Sequence, residues 1–377
     1  MITRIINSKI LARITDRKAI ILLGPRQVGK STLMEQLKSS FAQPVIIWNG
    51  DEADIRDLLK NPTSTKLKAL IGNAKTLIID EAQRIEDIGL TLKLIVDQLK
   101  EVKVIATGSS AFELANKTNE SLTGRKWEYQ LYPISFEEMV EYHGLLNEKR
   151  LLQQRMVFGY YPEIVNYPSE ERLRLKQLVD SYLYKDILIW ERILKPEKLE
   201  KLLQALAFQV GSEVSYHELG QLAGLDNQTV EKYITLLEKA FIIFRLSALN
   251  RNLRNELKKS RKIYFYDNGL RNAIINNFNA ITLRDDVGAL WENFLMSERQ
   301  KYLAYHDIDA LKYFWRTHTQ QEIDYIEEKN GEIDAYEFKW NSKAKVKFSN
   351  AFTEAYQPKT KMVIHSENFE EFVMNLD

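Results

Sequence analysis

The chain has 377 residues, 45% of them hydrophobic and 28% charged, with 53 Lys and Arg against 52 Asp and Glu. That length suits about two or three domains that can each bury a core, and a net charge of +1 exerts no overall pull on nucleic acid, so such contacts must be local. The absence of cysteine excludes disulfides and thiolate metal sites and fits a reducing, cytoplasmic setting, while no apolar run approaches the ~18 residues of a membrane span.

Met1 to Arg17 mixes Ile with Arg, Asn and Lys at helical spacing and reads as an amphipathic helix rather than a signal peptide. The apolar run Ala19–Leu23 then enters Gly24-Pro25-Arg26-Gln27-Val28-Gly29-Lys30-Ser31-Thr32. Two glycines five positions apart followed by Lys and Ser form the phosphate-loop pattern. A buried strand, a Gly-rich turn and a helix from about Lys30 would aim backbone N–H groups and a helix N-terminus at phosphates. Lys30 is placed to reach the β- and γ-phosphates of ATP and Ser31 to ligate Mg²⁺. The pattern implies a bound nucleoside triphosphate.

Thr76-Leu77-Ile78-Ile79-Asp80-Glu81 reads as a second buried strand ending in acid. Asp80 is expected to hold Mg²⁺, and Glu81 to polarise the attacking water as a catalytic residue. Val45–Trp48, Val102–Thr107 and Trp127–Leu131 supply further strands, with a Leu- and Ile-rich helix over 88–99. Strands alternating with helices imply a parallel sheet covered on both faces. A strand between phosphate loop and acidic strand marks ATPases in which a glutamate activates water. Ser109, in Gly108-Ser109-Ser110, is a candidate sensor of the γ-phosphate. Arg125 is a candidate arginine finger, in cis or in trans within a homo-oligomer, or else an ordinary surface arginine.

Together GPRQVGKST, LIIDEAQ, ATGSSAFEL, SLTGR and LYPISFEE (131–138) resemble a large family of uncharacterised prokaryotic AAA-type ATPases. The resemblance extends through GYYPEIV (159–165), SYLYKDI (181–187), FYDNGL (265–270) and GALWENF (288–294), nearly the whole chain. It implies an ATPase, a winged-helix segment and a C-terminal domain like the PD-(D/E)XK nucleases in one chain.

Residues 133–210 read as almost entirely helical and are expected to form a lid. Beyond them, Ser215–Ala223 and Asp226–Ala240 form two helices around Gly224-Leu225, with Ser215 and Asp226 as N-caps. Strands at Phe241–Leu246 and Ile263–Tyr266 complete a winged helix-turn-helix. Its wing carries Arg245, Arg251, Arg254, Lys258, Lys259, Arg261 and Lys262 against the single acid Glu256. Such a wing suits DNA phosphates. The recognition helix, exposing Asn227, Gln228, Glu231, Lys232 and Thr235, has no strong base-reading set, and winged helices also bind protein partners. His217 reads as a surface residue.

Residues 288–377 order as helix, three strands, helix, strand, at Gly288–Tyr305, Leu311–Arg316, Glu322–Glu327, Ala335–Trp340, Ser349–Tyr356 and Lys361–His365. That order is the core of the PD-(D/E)XK nucleases. Asp324 and Glu337 fall on adjacent strands, where two carboxylates can hold Mg²⁺ or Mn²⁺. Glu337 and Lys339 share a face across Phe338, so Lys339 can serve the hydrolytic water as a catalytic group. By the resemblance, Glu292 adds a third metal ligand from the helix. Arg316, two residues before His318, is a candidate phosphate contact. The same acid-rich strands also suit a non-catalytic binding module.

The fold class expected is therefore α/β: a P-loop ATPase parallel sheet with helical lid, a winged helix-turn-helix, and a C-terminal PD-(D/E)XK-like α/β domain. The expected domains are 1–135, 136–285 and 286–377. Two functions of different class follow: ATP turnover coupled to DNA binding or cleavage, or a nucleotide-dependent switch acting on a protein partner.

Overall fold

Continuous apolar runs become central strands because a parallel strand covered on both faces has no side to give to water. β1 (Ala19–Leu23) is buried throughout and β3 (Thr76–Asp80) everywhere except its last residue. With β2 (Val45–Asn49), β4 (Lys103–Gly108) and β5 (Lys126–Gln130) they form a parallel sheet of order β2-β3-β4-β1-β5. β4 lies between the loop-bearing strand and the acidic strand, so the carboxyl ends of β1, β4 and β3 open side by side. Helices α1 (Ile6–Ala12), α2 (Lys30–Leu37), α3 (Ala53–Leu58), α4 (Ser64–Ile71) and α5 (Ile88–Gln98) complete this part. The N-terminal helix is shorter than the 1–17 expected, with turns and bends over residues 13–17.

The computed structural model describes residues 2–109, 118, 122–180, 196–250, 260–317 and 319–376. They fall into two compact units, Met1–Ile134 with Lys239–Phe241, and Ser135–Glu238 with Ile242–Asp377. No helix among the described residues is long and apolar enough to cross a membrane.

The second unit begins with α6 (Phe136–His143), α7 (Leu145–Phe158), α8 (Pro162–Asn166), α9 (Glu171–Val179) and α10 (Pro196–Phe208). The SYLYKDI segment expected to extend this helical run lies outside the described residues. Next come β6 (Glu213–Val214), α11 (Tyr216–Ala223), α12 (Asn227–Lys239), β7 (Ile243–Ala248) and β8 (Arg261–Phe265). β7 and β8 pair antiparallel, and β8 pairs β6. The chain continues through α13 (Asn268–Ile274), α14 (Val287–Tyr305), β9 (Leu311–Arg316), β10 (Glu322–Lys329), β11 (Glu332–Phe338), α15 (Asn350–Tyr356), β12 (Thr360–Ile364) and α16 (Glu370–Val373). β9, β10 and β11 run antiparallel in turn, and β12 lies parallel to β11.

The expected boundary at 285/286 does not break the sheet. β7 pairs parallel with β9 through Ser247–Tyr313 and Ala248–Phe314, so seven strands form one sheet, β12-β11-β10-β9-β7-β8-β6. Three motif segments meet in a buried polar lock. Asp267 N-caps α13 at Leu270 N (3.0 Å) and accepts Tyr160 N at 2.6 Å. Asn293 holds Phe265 by both backbone groups and donates to Asn268 Oδ1 at 2.6 Å, while Asn268 donates to the carbonyls of Met156 and Leu290. Gly159, at φ +73°, would set a Cβ 2.1 Å from Asp267 Oδ1, so only glycine admits the carboxylate there. These segments therefore specify packing.

Candidate nucleotide site and C-terminal carboxylate cluster

The phosphate loop leaves β1 where the chain must pass tightly against β5. Leu131 N donates to Leu23 O at 2.7 Å, and a Cβ on Gly24 would stand 2.3 Å from Leu131 O. Gly24→Ala must push the loop off β5, and we expect ATP turnover to fall about tenfold or more, checked by steady-state hydrolysis. Gln27 and Gly29 both adopt positive φ, 57° and 96°, turning the loop into α2. Lys30, 5% exposed, donates to the carbonyls of Gly24 (2.9 Å) and Pro25 (2.8 Å). Burial pushes its ammonium down to about 8, with Glu81 and Asp80 opposing.

The acids lie beside this loop. Ser31 Oγ donates to Asp80 Oδ2 at 2.7 Å, and Thr107 of β4 donates to Asp80 Oδ1. A hydroxyl and a carboxylate in contact at the loop suit a hydrated Mg²⁺, which prefers oxygen ligands. Glu81 adopts φ 48° at the end of β3, and its Oε2 accepts from Gln83 Nε2 (2.6 Å) and Ser109 Oγ (3.3 Å). Gln83 Nε2 also lies 2.9 Å from Ser109 Oγ, so Ser109 reaches the site through the glutamate. Sequence reasoning missed Gln83 and Thr107. Gln83 stood within LIIDEAQ, two residues past Glu81, where only the acids were weighed.

Arg125 is elsewhere. Ala19 N donates to its carbonyl, which places it at the start of β1 and β5, while the phosphate loop follows the far end of β1. Five residues of strand separate them by roughly 16 Å, and its guanidinium donates to Asp97 at 2.7 Å. A finger acting on its own nucleotide does not fit this placement. An arrangement in trans and an ordinary surface arginine paired with Asp97 both stay open.

In the second unit three of the four residues singled out come together. Lys339, one residue beyond β11, sets Nζ 3.4 Å from Asp324 Oδ2 and 3.2 Å from Glu337 Oε2. Phe338 N donates to Asp324 Oδ2 at 2.8 Å, and the Phe338 ring stacks on Tyr325 on the opposite face. Burial, then the charge of Asp324, pushes the Glu337 carboxyl up to about 7 against the pull of Lys339.

Glu292 is engaged differently. It accepts from Tyr264 at 2.6 Å and from Lys262 at 3.1 Å. Lys262 is 2% exposed and also pairs with Glu322 at 2.6 Å. Burial opposes its charge, yet Glu292, Glu322 and Asp324 hold the ammonium above its ordinary range. Among the described residues, no group of three or more histidine or acidic side chains is placed to hold a metal ion. The donor set does not fit the three-carboxylate centre expected from Glu292, Asp324 and Glu337, because Glu292 is engaged by Lys262 and Tyr264 while Asp324 and Glu337 share Lys339. Lys262 and Tyr264 were not foreseen as its partners, although their i, i+2 spacing on β8 puts them on one face.

The described part of the wing is likewise paired. Arg245 donates to Glu238 at 2.7 Å and to Tyr216 OH, Arg261 to Tyr216 OH at 2.6 Å, and Lys262 is buried as above. Arg316 pairs with Glu213 at 3.4 Å rather than standing free for phosphate. Arg251, Arg254, Glu256, Lys258, Lys259 and His318 lie outside the described residues. Asn227, Gln228, Glu231 and Lys232 are exposed on α12, whereas Thr235 is half-buried. His217 is exposed, its ring 3.2 Å from Gln221. A groove of about 710 Å³ at the starts of α11 and α12 is lined by Glu213, Glu218, Glu231, His217 and Arg261 among others. Three glutamates give it a poor complement to a phosphate backbone.

Residues 16–140 match the model of an AAA domain. Residues 149–280 and 287–375 match models described as domains of unknown function, DUF8612 and DUF4143. An uncharacterised protein of Mycobacterium tuberculosis is 26% identical over 337 residues, covering 88% of this chain and 73% of its own. One from Haemophilus influenzae is 25% identical over 289 residues, 69% of this chain and 70% of its own. Among solved structures, the Thermotoga maritima RuvB Holliday junction branch migration motor aligns with 67% of this chain and 92% of its own, at 16% identity and TM-score 0.30. A signal transduction ATPase with numerous domains from Pyrococcus horikoshii aligns with 82% of this chain and 48% of its own, at 12% identity and TM-score 0.30. These low scores carry no argument; the AAA match and the loop geometry do. The N-terminal unit is an AAA domain that binds and hydrolyses ATP.

Proposed function

We propose that the chain is an ATP-driven switch whose second unit, beginning after the AAA sheet, recognises a protein partner. The observation that carries this reading is Lys262, buried between Glu292 and Glu322, which engages Glu292 within the protein. On this reading the first unit does the chemistry. Loop amides from Arg26 to Thr32 would cradle the phosphates, Lys30 would turn from the loop carbonyls to the β- and γ-phosphates, and Ser31 and Asp80 would hold Mg²⁺. The metal supplies charge neutralisation at the phosphate oxygens. Glu81 accepts a proton from the attacking water, and Ser109, through Gln83, links its position to the γ-phosphate. In an oligomer Arg125 would serve a neighbour's nucleotide.

The second unit comprises a helical segment, a winged helix-turn-helix and a PD-(D/E)XK-like core, with Asp324, Glu337 and Lys339 forming a largely buried polar cluster at β10 and the end of β11. A DNA-coupled reading has one observation in its favour, the meeting of those three residues on adjacent strands.

ATP hydrolysis measured with and without double- and single-stranded DNA, at low and physiological salt, separates the readings. A partner switch predicts turnover indifferent to DNA at either salt, and no cleavage product with Mg²⁺ or Mn²⁺. Stimulation by DNA that weakens steeply with salt, or cleavage that Asp324→Ala abolishes, would overturn it.

A further inference from the structure

We infer that Arg4, ahead of the first helix, is a positioning residue for the phosphate loop: its guanidinium holds the loop's outer carbonyl side against the exit of β5. The segment that carries it is anchored, with Ile2, Ile6 and Ile10 buried. Arg4 itself is 6% exposed, Nη1 donating to Val28 O at 3.1 Å and Nη2 to Tyr132 O at 2.6 Å. Val28 immediately precedes Gly29 within the loop. Tyr132 follows Leu131, the residue whose carbonyl crowds Gly24. One side chain thus spans both walls of the turn.

The consequence follows from peptide geometry. A loop that presents N–H groups to phosphate must turn carbonyls the other way, and those carbonyls need donors once buried. In this structure Lys30 serves Gly24 and Pro25, and Arg4 serves Val28. Lys30 must leave its two carbonyls to reach a nucleotide, whereas Arg4 has no such duty. Arg4 therefore keeps the loop preformed through binding, and its planar fork meets two acceptors at fixed spacing, which a lysine cannot do.

The test compares dissociation constants for a fluorescent ATP analogue and kcat for ATP hydrolysis in wild type, Arg4→Lys and Arg4→Ala. Arg4→Ala should weaken nucleotide binding about tenfold, the equivalent of one charge-assisted hydrogen bond, while kcat at saturating ATP falls far less. Arg4→Lys should lie between, and added guanidinium ion should restore part of the affinity of Arg4→Ala but not of Lys30→Ala. Unchanged affinity in both Arg4 variants overturns the inference. So does a fall in kcat and melting temperature with affinity preserved, the signature of a merely structural arginine. Should Arg4→Ala not fold, Arg4→Lys alone decides, since it retains charge but not the fork. Wild type failing to bind the analogue while hydrolysing ATP would fault the probe, and hydrolysis of unlabelled ATP then supplies the same comparison as KM.

Discussion

Glu81→Gln should leave ATP bound and lower kcat by about two to four orders of magnitude, the span of a lost general base. Lys30→Ala should instead lose both binding and turnover, with turnover falling by at least roughly two orders. The separation follows from where the two side chains stand. Lys30 stands on the loop itself, its ammonium on the loop carbonyls, whereas Glu81 is tied to Gln83 and Ser109 at the edge of the site. Gln is nearly isosteric with Glu and keeps a side-chain oxygen toward Gln83, so the neighbourhood of the loop is preserved. Gln83→Ala is a finer probe, since it frees the Glu81 carboxylate from one donor and leaves it only the longer contact with Ser109. Single-turnover hydrolysis beside equilibrium nucleotide binding checks all three variants. A Glu81→Gln protein with wild-type kcat would sink the assignment of the base.

Much of the first unit was legible because local chemistry there is obligatory. A loop that cradles phosphate needs Gly24 for close approach and Gly29 for its positive φ, and a parallel strand covered on both faces has to be apolar along its length. Asp324, Glu337 and Lys339 were legible for a similar reason, since alternation along strands dictates which side chains share a face. What escaped was pairing across long stretches of chain. Lys262 counted as a wing cation because neighbouring cations suggest a solvated phosphate-binding run, yet its strand lies beneath α14, where Glu292 waits. Arg125, following a glycine in a polar loop, read as a finger in cis or in trans or as a surface arginine, and only the parallel register of β5 with β1 shows which end of the sheet it occupies. The continuity of the sheet across 285/286 was not foreseen because the β7–β9 pairing spans more than sixty residues and has no local mark.

Arg299→Ala should destabilise the second unit by about 3–5 kcal/mol, the cost of stripping one partner from a buried ion pair. Arg299 lies on α14 and grips Glu327 of β10 with two parallel bonds, Nε to Oε1 at 2.6 Å and Nη2 to Oε2 at 2.9 Å. A third bond runs from Nη1 to Phe372 O at 2.7 Å, and the guanidinium lies 4.6 Å from the Phe372 ring centroid. One side chain thus joins a helix, the sheet and the C-terminal turn. Burial alone would push the Glu327 carboxyl up, yet the Arg299 and Lys329 contacts hold it below its ordinary value. With its folded value depressed, the pair's contribution is present above the unfolded value and is lost as pH falls through the folded one. The wild-type margin over Arg299→Ala should therefore shrink in acid. Lys329 still touches Glu327, so the loss should sit toward the lower end of the range. Replacing both partners, Arg299→Met with Glu327→Leu, removes the stranded charge and should recover most of that stability. Denaturant unfolding of the three proteins at neutral pH and near pH 4 measures each term. A double variant no more stable than Arg299→Ala would show that the bonds to Phe372, rather than the stranded Glu327 charge, set the cost.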